Sequence, residues 1–85
     1  MATVEIYTRA FCGYCAAALK LLKNKQVEYQ EYDATMSPDL RREMTERSGR
    51  ETFPQIFIDG RHIGGYDDIN ALDREQKLDE LLGVK

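Results

Sequence analysis

Cys12 and Cys15, separated by Gly13 and Tyr14, are the only two cysteines in the sequence and its clearest carriers of chemistry. Two thiols at this spacing can exchange with a disulfide, contribute to a metal site or close a structural bridge. The position of the pair favours exchange. Cys12 ends a strand-like run and Cys15 opens a helical one. A helix N-terminus carries roughly half a positive charge and unpaired N–H groups, which stabilise a thiolate. Cys12 is therefore the expected nucleophile. Cys15, three residues on, falls in the first helical turn on the same side and becomes the expected resolving thiol. A zinc site draws four ligands from Cys and His, whereas here only His62 could join the two cysteines, so no metal site is expected. A structural bridge over so short a loop would restrain the unfolded chain little.

The elements that must position this pair are legible in order. Thr3 to Thr8 is a β-rich run with Val4 and Ile6 on one face. Ala16 to Lys23 is rich in helix formers, with Leu19 and Leu22 three apart and cations near its end. Val27 to Tyr32 restores a strand composition, and strand–helix–strand in so short a span implies a parallel pair with a right-handed crossover. Ser37 as N-cap and Pro38 at the first helical position open a second helix through Leu40, Met44 and Arg47, which Gly49 ends. Gln55 to Ile58 and Arg61 to Ile63 flank Asp59-Gly60, the dipeptide of a two-residue hairpin. Gly64-Gly65-Tyr66 then leads to an acidic start at Asp67-Asp68, with Ile69 and Leu72 in a third helix that continues through Lys77 to Leu82. The expected fold is α/β: a mixed four-stranded sheet with helices on both faces.

The 85 residues fit one domain, residues 1–85. Twelve Lys and Arg against 15 Asp and Glu leave a net charge of −3, which offers no footprint for nucleic acid or an anionic membrane. The N-terminal Met1 to Ile6 has no basic segment followed by an apolar run of about 7–15 residues, and no run approaches the ~18 of a membrane span. A cytoplasmic monomer is the expectation, and in that compartment a paired thiol points to catalysis rather than scaffolding.

Three segments in this order resemble the glutaredoxin family over nearly the whole chain: Tyr7-Thr8-Arg9 before Cys12-Gly13-Tyr14-Cys15, then Thr52-Phe53-Pro54-Gln55, then Gly64-Gly65-Tyr66-Asp67-Asp68. The resemblance implies a thioredoxin-like fold and a glutathione-dependent thiol–disulfide oxidoreductase acting on disulfide-containing or glutathionylated proteins, with glutathione as co-substrate. It implies a cis bond before Pro54 that turns the Phe53 backbone toward Cys12, where its N–H and C=O could pair with an extended glutathione backbone. It places the γ-glutamyl end of glutathione at Gly65, Tyr66 and Asp67, with the carboxylate on a helix N-terminus and the ammonium on Asp67. Tyr14 and Thr52 complete that set, and Arg9, where the family usually has lysine, would grip the glycyl carboxylate. Each has a plainer reading: Pro54 as the first residue of a strand, the glycines as a tight turn, Arg9 as a solvated cation. Three residues depart from the common pattern. Gly13 replaces proline, Phe53 replaces valine and Tyr66 replaces cysteine. Gly13 also occurs in family members that hold a [2Fe–2S] cluster between two subunits, so cluster binding or delivery by a glutathione-bridged homodimer is the alternative reading.

Overall fold

The computed structural model describes residues 2–84. The chain runs β1 (Val4–Thr8), α1 (Gly13–Asn24), β2 (Gln30–Asp33), α2 (Pro38–Ser48), β3 (Gln55–Ile58), β4 (Arg61–Gly64), α3 (Tyr66–Arg74) and α4 (Leu78–Leu82). The four strands form one sheet in the order β2-β1-β3-β4. β1 pairs parallel with β2 and antiparallel with β3, and β3 pairs antiparallel with β4.

Alternation along β1 sends Val4 and Ile6 to one face and Tyr7 to the other. The first face packs with Ala18 and Leu22 of α1, Ile69 of α3 and Leu78 and Leu82 of α4. The second packs Tyr7 and Phe57 against Met44 of α2. Helices therefore cover both faces, as expected for a thioredoxin-like sheet. β3 is buried at every position, in keeping with a strand that has a neighbour on each side. The β3–β4 turn is made by Asp59 (φ 53°) and Gly60 (φ 79°), the two consecutive positive φ values a tight hairpin needs.

Three local expectations are corrected. β2 begins at Gln30 rather than Val27, because β1 pairs with it only from Glu5↔Gln30 onward; Val27 and Tyr29 pack against the core outside the ladder. The third helix does not continue through Lys77. It ends at Arg74, the chain reverses at Gln76 (φ 62°), and α4 is separate. Lys25 ties the break together, its ammonium 2.6 Å from Asp73 and 2.8 Å from Asp79. The third helix also starts one residue early, at Tyr66, with Gly65 as N-cap. No helix among the described residues is long and apolar enough to cross a membrane.

Candidate active site

Cys12 is the N-cap of α1, in an extended conformation (φ −114°, ψ 106°). A helix start usually recruits a Ser, Thr, Asp or Asn oxygen to accept a first-turn N–H. Here sulfur takes that role: the Cys15 N–H donates to Cys12 Sγ over 3.2 Å. On its other side Cys12 Sγ faces the Phe53 carbonyl at 3.8 Å, to which the thiol donates. The Phe53–Pro54 bond is cis, as the resemblance implied. Cys12 is partly exposed while Cys15 is buried. Burial first, and then the hydrogen bond with Cys12, push the Cys15 thiol up to about 12 against the opposing Arg9 N–H. At neutral pH Cys15 is thus a protonated thiol behind Cys12. The pair presents one sulfur to solvent and keeps the second in reserve.

Beside Cys12 lies an open hollow of about 160 Å³ between the 52–55 segment and the start of α3. Tyr14, Thr52, Phe53, Pro54, Gly65, Tyr66 and Asp67 all line it, so the structure brings these seven sequence-predicted residues together. Tyr14 and Tyr66 stack across one end, ring centroids 6.2 Å apart and 29° between planes. Asp67 is exposed at the rim. Arg9 does not line this hollow. Its guanidinium lies 6.0 Å above the Phe53 ring and donates to the Ala10 carbonyl at 3.3 Å.

Three residues that the sequence did not single out as binding residues shape the hollow. Gln55, fully buried, donates from Nε2 to the Thr52 carbonyl (3.1 Å) and hydroxyl (3.0 Å), and its Oε1 meets His62 Nε2 at 2.7 Å. Because the Gln55 oxygen can only accept, Nε2 of His62 carries the proton. Burial and the nearby Arg50 charge lower the His62 pKa, which fits that neutral form. Asp68 accepts the Gly65 N–H (2.9 Å) and the Arg50 guanidinium (3.1 Å) through the same oxygen. Those bonds, the Gly65 N–H foremost, hold its carboxyl below the usual range. It is one half of a capping box whose N-cap has no side chain. Gln55 and Asp68 stand in two of the segments that carry the resemblance, Asp68 also in the spacing Gly65-x-x-Asp68, and Arg50 carried no sequence signal.

A strand–Cys-x-x-Cys–helix unit faces a cis proline, and the hollow on the far side of that proline ends at a second helix start. Residues 4–63 match the family model described as Glutaredoxin. The chain belongs to the glutaredoxin family. Glutaredoxin 3 of Escherichia coli K12 is 54% identical over 82 residues, 96% of this chain and 99% of that protein. The solution structure of glutaredoxin from Brucella melitensis superposes with a TM-score of 0.86 at 57% identity, covering 99% of this chain and 91% of that one. The crystal structure of a buckwheat glutaredoxin–glutathione complex superposes with a TM-score of 0.88 at 28% identity, covering 96% and 77%. This glutaredoxin is a thiol–disulfide oxidoreductase with a thioredoxin-like fold.

Proposed function

We propose that this glutaredoxin reduces protein disulfides and glutathionylated thiols at the expense of glutathione, with Cys12 as nucleophile and Cys15 as resolving thiol. The observation that carries the assignment is the position of Cys12 Sγ, capped by the Cys15 N–H at 3.2 Å and partly open to solvent, with the Cys15 thiol buried behind it. The Cys12 thiolate attacks a disulfide sulfur, a mixed disulfide forms and the partner leaves as a thiolate. Either Cys15, on losing its proton, or a second glutathione then attacks the mixed disulfide. Two glutathiones return the oxidised pair to dithiol and leave as glutathione disulfide.

Glutathione occupies the hollow beside Cys12 in this reading, a use supported by the buckwheat complex. Its backbone pairs with Phe53 before Pro54, Tyr14 and Thr52 flank it, and its γ-glutamyl end reaches Gly65, Tyr66 and Asp67. Arg9 reaches its glycyl carboxylate from beyond Phe53. Cys12→Ser abolishes turnover in a coupled assay of a glutathione mixed disulfide, whereas Cys15→Ser keeps it and loses most reduction of a protein disulfide. Activity retained by Cys12→Ser and lost by Cys15→Ser reverses the assignment.

A second reading, a [2Fe–2S] cluster held by a glutathione-bridged homodimer, has one favourable observation: a side chain at Gly13 would meet no atom within 4 Å, so the loop beside Cys12 is uncrowded. One chain does not complete such a site among its described residues, since no group of three His, Cys, Asp or Glu converges. Anaerobic reconstitution with iron, sulfide and glutathione, read by visible absorption and molecular mass, tests it. A colourless monomer removes it.

A further inference from the structure

A second hollow, of about 290 Å³, opens on the other flank of the cysteine pair. The sheet order explains the placement. The glutathione hollow lies toward β3 and α3, while this one lies over β1 and β2, and the two share no lining residue. Cys12 and Cys15 both border it, with Phe11, Ala16 and Leu19 as apolar wall and Glu31 and Asp33 as acidic edge.

Phe11 is the most unusual residue here. Its side chain is fully exposed (103%), although burying a phenylalanine ring stabilises by about 1.5–3 kcal/mol. Its backbone is held at φ 57°, uncommon for a bulky residue. Met36 is exposed nearby (91%), its loop tied to the Phe11 loop by the Ala10 N–H donating to Thr35 Oγ1 at 2.8 Å. Four large hydrophobic residues are exposed among the described ones, and two of them, Phe11 and Tyr14, flank Cys12 in sequence, while a third, Met36, follows Thr35 in the loop bonded to Ala10.

The charge on this flank narrows the occupant. Glu31 pairs in register with Ile6 and Asp33 with Thr8, which places both carboxylates on the α1 side of the sheet. The Thr8 hydroxyl donates to Glu31 at 2.7 Å, and the Thr35 N–H and hydroxyl donate to Asp33. Neither carboxylate has a cationic partner among the described residues. Arg9 also lines the hollow, but its guanidinium is turned toward the Phe53 ring. An apolar wall with unpaired carboxylates beside it is complementary to an apolar residue next to a cation.

Building on the function proposed above, we infer that this hollow docks the protein half of the substrate: a segment whose disulfide-bonded cysteine is flanked by an apolar residue and a lysine or arginine. The apolar residue packs on Phe11 and Leu19, and the cation meets Glu31 and Asp33. The segment is then held against Cys15, which must displace it from Cys12 in the second half of the reaction.

The test compares two disulfide-bridged peptides that differ only in Leu-Lys or Leu-Glu beside the bridged cysteine, with the glutathione–cysteamine mixed disulfide as a small substrate. The wild-type protein reduces the Leu-Lys peptide with kcat/KM about tenfold above the Leu-Glu peptide at low salt, and the ratio narrows at high salt. Glu31→Gln with Asp33→Asn removes the preference. Phe11→Ala lowers kcat/KM for both peptides by about tenfold and leaves the small substrate unchanged. Equal turnover of the two peptides, preference for Leu-Glu, or an Ala variant that matches wild type overturns the docking site while leaving the glutathione reading intact. Failure of the wild-type protein on the small substrate defeats the glutathione reading, and this inference with it.

Discussion

Cys12 does at the head of α1 what Ser37 does at the head of α2: each side chain accepts the N–H three residues on, at 3.2 Å. The sulfur proposed as nucleophile is therefore also a structural cap. Serine is among the preferred N-cap residues, so Cys12→Ser, the variant expected to lose turnover, retains the wild-type melting temperature or exceeds it. A clear fall in thermal stability would show that sulfur is required for more than the cap. Gly13 yields a second outcome. It occupies the first helical position, where proline is tolerated, and Cys12 before it already has the extended backbone that a following proline demands. Nothing lies within 4 Å of a side chain placed there. Gly13→Pro raises stability by about 0.4–1 kcal/mol through the unfolded state and keeps oxidoreductase activity, as urea unfolding and the coupled assay would show. At this scale the sequence was informative. The cysteine spacing, the Ser37-Pro38 start and the Asp59-Gly60 turn are local chemistry, and the structure repeats each of them.

The segment from Arg50 through β3 to the start of α3, which supplies most of the lining of the hollow, is held by contacts of which only Gly65-x-x-Asp68 is a local pattern. Gln55 fixes Thr52, His62 fixes Gln55, and Asp68 fixes both Gly65 and Arg50. The Asp68 carboxylate also explains Gly64: a Cβ there would lie 2.1 Å from Asp68 Oδ2, on a backbone at φ 133° that disfavours side chains in any case. Asp68→Ala removes a cap and frees Arg50. It costs about 1 kcal/mol of stability and raises KM for glutathione more than it lowers kcat, which steady-state kinetics over glutathione concentration would resolve. An unchanged KM would mean that the start of α3 keeps its shape without Asp68. The Arg50–Asp68 pair was not legible because it joins residues 18 apart, and the Gln55–His62 contact because it crosses from β3 to β4. The late start of β2 and the break before α4 were missed for the same reason: the pairing limit of β1 and the Lys25 ion pairs are tertiary facts.

Across the whole molecule, the βαβ and αββα order and the two-faced sheet followed from periodicity, but the polar seam between β1 and α2 did not. Arg47 entered the sequence reading only as a helical-spacing position. It lies between the Phe57 ring, 4.0 Å from its centroid, and Glu5, 3.0 Å from Oε1, and it also donates to the Tyr7 hydroxyl at 2.8 Å. Tyr32 donates to the other Glu5 oxygen at 2.9 Å. These bonds, with Arg47 foremost, lower the Glu5 pKa, as the Gly65 N–H and Arg50 lower that of Asp68. A carboxyl whose pKa is depressed in the folded state contributes stability above its unfolded value, about 3.9–4.3, and loses it as pH falls through the folded value. His62 follows the same sign for a different reason. Burial lowers its pKa, so below about 6.5 the unfolded chain takes up a proton that the folded one resists. The melting temperature should therefore begin to fall below about pH 6.5 and fall further below about pH 4.5. His62→Gln, which can still donate to Gln55, removes the upper limb and leaves the lower one. Glu5→Gln leaves the upper limb and makes the lower one shallower, Asp68 supplying the remainder, at the cost of a lower plateau at neutral pH because Arg47 loses its partner. A melting temperature flat from pH 7 to 5 in the wild type would show that His62 titrates alike in the folded and unfolded chain, and a lower limb unchanged in Glu5→Gln would remove Glu5 from the acid sensitivity.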